Sequence, residues 1–167
     1  FIRAVTGDLF SIEVAAYPEW HPQARSPQDD MAAFVRKVKA GANSAITQYF
    51  YNADAYFHFV DEARAQGVDI PIVPGIMPVS NFAQAVRFSA MCGTSVPGWL
   101  GAMFEGTETD PEIRRMVACI VAAEQVRVLQ ANGVDEFHFY TLNRPDLTRA
   151  IAHILGVREK TPPAPGE

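Results

Sequence analysis

The sequence predicts an α/β fold of parallel strands joined by crossover helices. Three observations carry this. A short apolar strand followed by an amphipathic helix recurs four times along the chain, and a strand that returns through a helix lies parallel to the one before it. The 167 residues are 49% hydrophobic and 20% charged, which supports one domain with its own core and excludes a disordered chain. No Gly-x-Gly-x-x-Gly follows the first strand, so the fingerprint of a Rossmann sheet is missing. A (β/α)8 barrel takes about 250 residues and four units are half of one. Periodicity alone leaves a doubly wound sheet and part of a barrel both open.

The elements follow in order. Residues 11–17 suit a buried strand. Ser26, Pro27 and Asp29 form a helix start, with Met31, Phe34, Val35 and Val38 at helical spacing and Gly41 as the stop. A second strand spans 44–50. Asn52 caps the next helix, whose inner face carries Tyr56, Val60 and Ala63 and which ends at Gly67. Residues 69–74 give a third strand, and Ser80 caps a helix running to about Met91 and stopped by Gly93. A short helix fits Pro97–Phe104. Asp110-Pro111 opens a long helix to about Asn132, with Ile113, Val117, Ile120 and Val121 inward. Residues 135–141 form the fourth strand, and a last helix runs from Pro145 to Leu155. The proline-rich end reads as a frayed tail.

A net charge of −5 gives no general attraction to nucleic acid or an anionic membrane. The apolar runs fall short of the ~18 residues that suggest a membrane span. The start of the chain lacks the layout of a signal peptide, and Phe1 in place of an initiator Met suggests a beginning inside a longer chain. A cytoplasmic location is expected, with Cys92 and Cys119 as free thiols. The four histidines make no HxxxH or HExxH spacing, so no metal site is expected.

Polar residues gather just past the strand ends: Tyr17, Glu19 and His21 after the first, Gln48 and Tyr49 at the end of the second, 74–81 after the third, and Tyr140, Asn143 and Arg144 after the fourth. Parallel βα folds place their sites at this end.

Four of these segments carry a specific resemblance. AAYPEWHPQA at 15–24, KAGANSAITQYFY at 39–51, PIVPGIMPVSNF at 71–82 and FHFYTLNR at 137–144 resemble methylenetetrahydrofolate reductase, in order, over nearly the whole chain. The resemblance implies a (β/α)8 TIM barrel of which this chain is the last four βα units, a half barrel over residues 1–157 with a flexible tail at 158–167. It implies FAD as cofactor, methylenetetrahydrofolate and NAD(P)H as substrates, and a homo-oligomer or a missing N-terminal half as partner.

The same resemblance implies site roles. By themselves Tyr17 and His21 are loop residues, and Asp30, Arg36 and Lys37 a solvated helix face. The family places FAD contacts at these positions, where basic groups offset a pyrophosphate. Gln48 would meet the substrate's pterin edge. Gln84 and Phe88 lie one turn apart on a helix. Phe88 alone reads as core; by resemblance it stacks on folate or nicotinamide, with Gln84 on the same ligand. Arg144 would pair with a carboxylate of the folate tail. The family's catalytic acid comes from the barrel's first strand, outside these residues, and neither Asp8 nor Glu19 matches it. Two rivals stand beside this reading: a non-catalytic half barrel that binds flavin or folate or serves in assembly, and another folate-using barrel without the reductase chemistry.

Overall fold

The computed structural model describes residues 1–158. The expected tail from 158 onward lies, apart from Arg158, outside the described residues. The chain opens with α1 (Ile2–Thr6), β1 (Glu13–Ala16), α2 (Pro27–Lys39) and β2 (Ser44–Tyr49). Then come α3 (Ala53–Ala65), β3 (Ile72–Ile76), α4 (Phe82–Cys92) and α5 (Gly98–Phe104). It closes with α6 (Pro111–Ala131), β4 (His138–Phe139) and α7 (Pro145–Ile154). The four strands form one sheet in the order β1-β2-β3-β4, every pair parallel. This is the expected α/β architecture. Among the described residues no helix is long and apolar enough to cross a membrane.

One face of the sheet is packed by helices. Ala16, Ala45 and Ile72 join Phe34 of α2, Phe59 of α3 and Val126 of α6 in a single buried cluster. The Phe34 and Phe59 rings meet at 5.3 Å and 45°, and burying each ring contributes roughly 1.5–3 kcal/mol. Alternation along the strands sends Glu13, Ala15, Ser44, Ile46 and Gln48 to the other face, where they are exposed or half-buried. There Ser44 Oγ donates to Glu13 Oε1 at 2.9 Å. The first strand is therefore buried on one side only, contrary to the buried strand expected at 11–17. It is an edge strand, with β2 its sole partner in the sheet.

A second apolar cluster sits at the carboxyl ends of the strands. Met77, Val79, Ala85, Leu100 and Phe104 pack with Tyr49, the last residue of β2. Phe82 stacks on Phe104 at 5.7 Å. Thus α4 and α5 add a layer at the strand ends, and α6 belongs to both clusters. Its Ala118, Ala122 and Ala123 are buried, while Ile113 and Ile120 are 50% and 59% exposed. The inward placement of these two isoleucines is overturned: α6 approaches through alanines and turns them outward. Val117 is partly buried and Val121 buried, as expected.

Caps follow the sequence with one shift. Ser26, Asn52 and Asp110 accept N–H bonds from the first turns of α2, α3 and α6. The cap of α4 is Asn81, whose Oδ1 accepts the Gln84 N–H at 3.0 Å, in place of the expected Ser80. The Ser80 N–H is turned to the Pro78 carbonyl. The short α1 has no sequence signal. Arg3 holds it, donating to the carbonyls of Gly41, Gly7 and Phe10 and to Asn43.

The third strand starts three residues after the expected 69–74 and ends two residues after it, so Pro74 and Gly75 fall inside the sheet. Proline lacks the N–H that a ladder needs, and the β2–β3 register shifts between Ile46 and Tyr49. Thr47 takes over: its Oγ1 accepts the Gly75 N–H at 2.9 Å. Across the same glycine, Tyr140 OH donates to the Thr47 carbonyl at 2.9 Å. A Cβ at Gly75 would lie 2.3 Å from that carbonyl oxygen and 2.6 Å from Tyr140 Cε2. Gly75→Ala is expected to destabilise the fold by upwards of about 2 kcal/mol, as backbone cannot yield as a flexible side chain does. An unchanged urea midpoint would refute this. The fourth strand is also shorter than the expected 135–141, for it pairs with β3 alone, through His138 and Phe139.

Candidate functional site

The loops after the parallel strands and the layer made by α4 build one face. Three tethers shape it. The Glu19 carboxylate accepts the Ser95 N–H at 2.9 Å, tying the loop after β1 to the end of α4. Gly93, in the left-handed region with φ 72°, lets Trp20 O and Pro22 come within 3.0 Å of where a Cβ would stand. Thr94 Oγ1 donates to the Tyr49 carbonyl at 3.0 Å, and Tyr49 OH meets Ser89 Oγ at 3.3 Å. Burial pushes the Tyr49 phenol up to about 12, so it stays a neutral hydrogen-bonding group at neutral pH.

Backbone strain collects on this face. Among the described residues, the non-glycine residues with positive φ are Trp20 (82°), Leu142 (49°) and Asn143 (60°). All three lie in loops that leave β1 and β4. Asparagine tolerates this region, whereas Trp and Leu cost on the order of 1–3 kcal/mol, and such residues cluster at functional sites.

The first group of expected contacts comes together. His21, Arg25 and Arg36 line an open cleft of about 390 Å³ with Asp29 and Asp30. Tyr17 stands edge-on to His21 at 4.6 Å and lines a neighbouring cleft that Asp30 shares. Asp30 Oδ2 accepts the His21 N–H at 3.0 Å, so this carboxylate fixes the loop. His21 Nδ1 accepts the Gln23 N–H at 3.0 Å, which leaves Nε2 to carry the proton of a neutral imidazole. Burial and then the nearby Asp30 charge raise the Tyr17 pKa above its ordinary value, keeping its phenol a donor.

Arg36 is exposed and Lys37 is not spent in the same way. The Lys37 ammonium donates to the Ala15 carbonyl and lies 5.9 Å above the Phe34 ring. Burial lowers its pKa, with Asp30 opposing. In this structure Lys37 holds β1, and Arg36 presents its charge to the cleft. An imidazole N–H, two guanidinium groups and a phenol suit the phosphates and ribose of a dinucleotide such as FAD.

The second group is more dispersed. Gln48 Oε1 accepts the Tyr49 N–H at 3.0 Å, on the sheet face away from the helices. On α4, Gln84 is exposed and Phe88 half-buried, with Phe88 beside the Ser89 that Tyr49 meets. Arg144 is exposed at the N-cap just before α7, without a side-chain cap bond. Glu19 and Tyr140 stand among the polar residues past the strand ends, but the sequence gives neither a role. Glu19 belongs to no motif, and its partner is a backbone N–H 76 residues away. The role of Tyr140 depends on Gly75, whose signal was the Pro-Gly pair beside an apolar run.

These features define a parallel α/β protein with a candidate functional face at the carboxyl ends of the strands. The chain belongs to the methylenetetrahydrofolate reductase family, whose model matches residues 1–156. It is 51% identical over 149 residues to the 5,10-methylenetetrahydrofolate reductase of Pectobacterium carotovorum subsp. carotovorum, covering 89% of this chain and 50% of that protein. The Escherichia coli (strain K12) enzyme of the same name is 49% identical, with the same coverage. Methylenetetrahydrofolate reductase (NADH) 1 of Arabidopsis thaliana is 38% identical over 96% of this chain and 28% of its own length. The chain thus spans about half the length of these bacterial relatives and 28% of the plant one. A solved Clostridium thermocellum structure, described as an uncharacterized protein binding two copies of 5-methyl-5,6,7,8-tetrahydrofolic acid, matches with a TM-score of 0.58. It is 19% identical and covers 90% of this chain and 54% of that one. At that identity it supports the fold alone.

Proposed function

We propose that this chain forms the last four βα units of a (β/α)8 barrel that reduces 5,10-methylenetetrahydrofolate to 5-methyltetrahydrofolate with NAD(P)H and FAD. The observation that carries the reading is the cleft that gathers His21, Asp30 and Arg36 beside Tyr17, in a chain of this family. When bound, FAD supplies hydride chemistry that no side chain here offers. This chain's residues bind and orient. The His21 Nε2–H donates to a ribose or phosphate oxygen, and Arg36 offsets phosphate charge. Asp30 keeps the His21 loop in place, while Lys37 secures the strand beneath it. Gln48 recognises the pterin edge, Gln84 and Phe88 hold the planar substrate, and Arg144 pairs with the carboxylate tail. The protonating acid comes from outside these residues, so the chain by itself is inactive. The reading carries with it a cytoplasmic, homo-oligomeric enzyme and sets the non-catalytic alternatives aside.

The test is flavin retention in a barrel completed with the N-terminal half of a relative. Arg36→Gln should release FAD on dialysis, with a larger deficit at low salt, where charge pairing is least screened. Lys37→Gln should also lower thermal stability, because it frees β1. If Arg36→Gln keeps its flavin at every salt concentration, the cleft is not the cofactor site.

A further inference from the structure

The loop that carries Tyr17 and His21 is held in a shape it would not keep unaided. Trp20, between them in the chain, has φ 82°, a left-handed conformation that a bulky residue adopts only where its surroundings impose it. On one side the loop is fixed to α2, the His21 N–H donating to Asp30 Oδ2 at 3.0 Å. On the other side it leans on the end of α4. Gly93, also left-handed at φ 72°, has the Trp20 carbonyl and the Pro22 ring 3.0 Å from where a Cβ would stand. Glu19 crosses the same seam, its Oε2 accepting the Ser95 N–H at 2.9 Å. Its Oε1 is buried without a hydrogen-bond partner among the described residues. A loop glutamate avoids that desolvation cost by turning to water, so this carboxylate is held inward against a cost.

We propose that Glu19 is a positioning residue. Its bond to Ser95 keeps Trp20 in the left-handed region and so sets Tyr17 and His21, and with them the cofactor cleft, against the end of α4. The inference rests on the reading of that cleft as the flavin site. The magnitudes favour it. Strain at a bulky left-handed residue and the strength of one hydrogen bond to a charged group are of the same order. Removing the bond therefore frees the loop to sample other shapes. The Trp20 N–H donates to the Tyr17 carbonyl at 3.2 Å, and the Tyr17 and His21 rings stand edge-on at 4.6 Å. A rotation at Trp20 opens this turn and parts two side chains that the reading places on one ligand. Affinity then falls by the fraction of molecules left in the competent shape. Glu19 need not touch the cofactor to have this effect. Because Ser95 offers a backbone N–H, the seam asks residue 19 for an acceptor of the right length more than for a charge.

The experiment uses the barrel completed with the N-terminal half of a relative, prepared without flavin, and follows hydrogen exchange in peptides spanning 17–25. Glu19→Leu keeps the bulk of the side chain and removes the acceptor. It should speed exchange there about tenfold or more, the equilibrium weight of one such bond, and leave β2 and β3 unchanged. It should also weaken flavin binding at least about fivefold. Glu19→Gln, which retains an acceptor, should hold both near the parent values. Gly93→Ala crowds Trp20 and Pro22 from the other side and should loosen the same peptides. A glutamate that only stabilises the fold gives a different pattern: a lower urea midpoint, with loop exchange and flavin affinity unmoved in the folded protein. That result overturns the proposal. So does faster loop exchange with parent flavin affinity, in a barrel from which Arg36→Gln releases the flavin. If Arg36→Gln keeps its flavin as well, the cofactor cleft is misassigned and the positioning role falls with it.

Discussion

Expressed by itself, the chain is expected to hold little FAD and to show no NAD(P)H-dependent reduction of methylenetetrahydrofolate. Co-expression with the N-terminal half of a family member should restore both. The reasons are geometric and chemical. In the sheet, β1 pairs with β2 alone and β4 with β3 alone, so two strands present unpaired backbone groups that a closed barrel would satisfy. On the proposed reading the acid that the reaction needs lies outside the residues gathered here, and general acid catalysis alone contributes about 10²–10⁴-fold. Bound flavin by absorbance, oligomer size by light scattering, and turnover decide the matter together. A monomeric, flavin-saturated, active product from the chain alone would sink the half-barrel reading.

The second large effect concerns α4. In the completed barrel, Phe88→Ala should lower kcat/KM for methylenetetrahydrofolate while leaving FAD content near normal. Removing a ring that stacks on a planar ligand costs roughly 1–3 kcal/mol, which corresponds to about 5- to 150-fold in rate. Phe88 is half-buried, so part of the ring is free to meet a ligand. It stands apart from the His21–Arg36 cleft, which is why flavin should be spared. Loss of flavin with unchanged folate kinetics would assign Phe88 to the wrong ligand. Loss of thermal stability without either would assign it to packing.

Much of the fold was legible because local signals and tertiary structure agree. Ser26-Pro27, Asn52 and Asp110-Pro111 start helices where the sequence places them. The misjudged features depend on neighbours that a local pattern does not contain. Ile113 and Ile120 have helical spacing, yet Ala118, Ala122 and Ala123 decide which side of α6 comes close to the sheet. Pro74-Gly75 looks like the end of a strand, and it stays inside the sheet where Thr47 Oγ1, 28 residues earlier, accepts the Gly75 N–H. The cleft residues were reached through resemblance, not chemistry: a solvated helix face and a cofactor-binding face carry the same residue types. What separates Arg36 from Lys37 is that one faces the cleft and the other is bonded to Ala15.

The tethers of the functional face also set a timetable for its assembly. Glu19 waits for a backbone N–H 76 residues downstream, and Thr47 waits for a phenol 93 residues downstream. Helices and adjacent strand pairs close over short separations, but these bonds bear the entropy of long loops and form last. On a ribosome adding about 5–20 residues per second, the loop that carries Tyr17 and His21 leaves synthesis about 4–15 s before its partner exists. During that interval the loop is open to proteases and chaperones, and it has no cofactor-binding shape. The part of the molecule that would meet its ligands is therefore the last to be born.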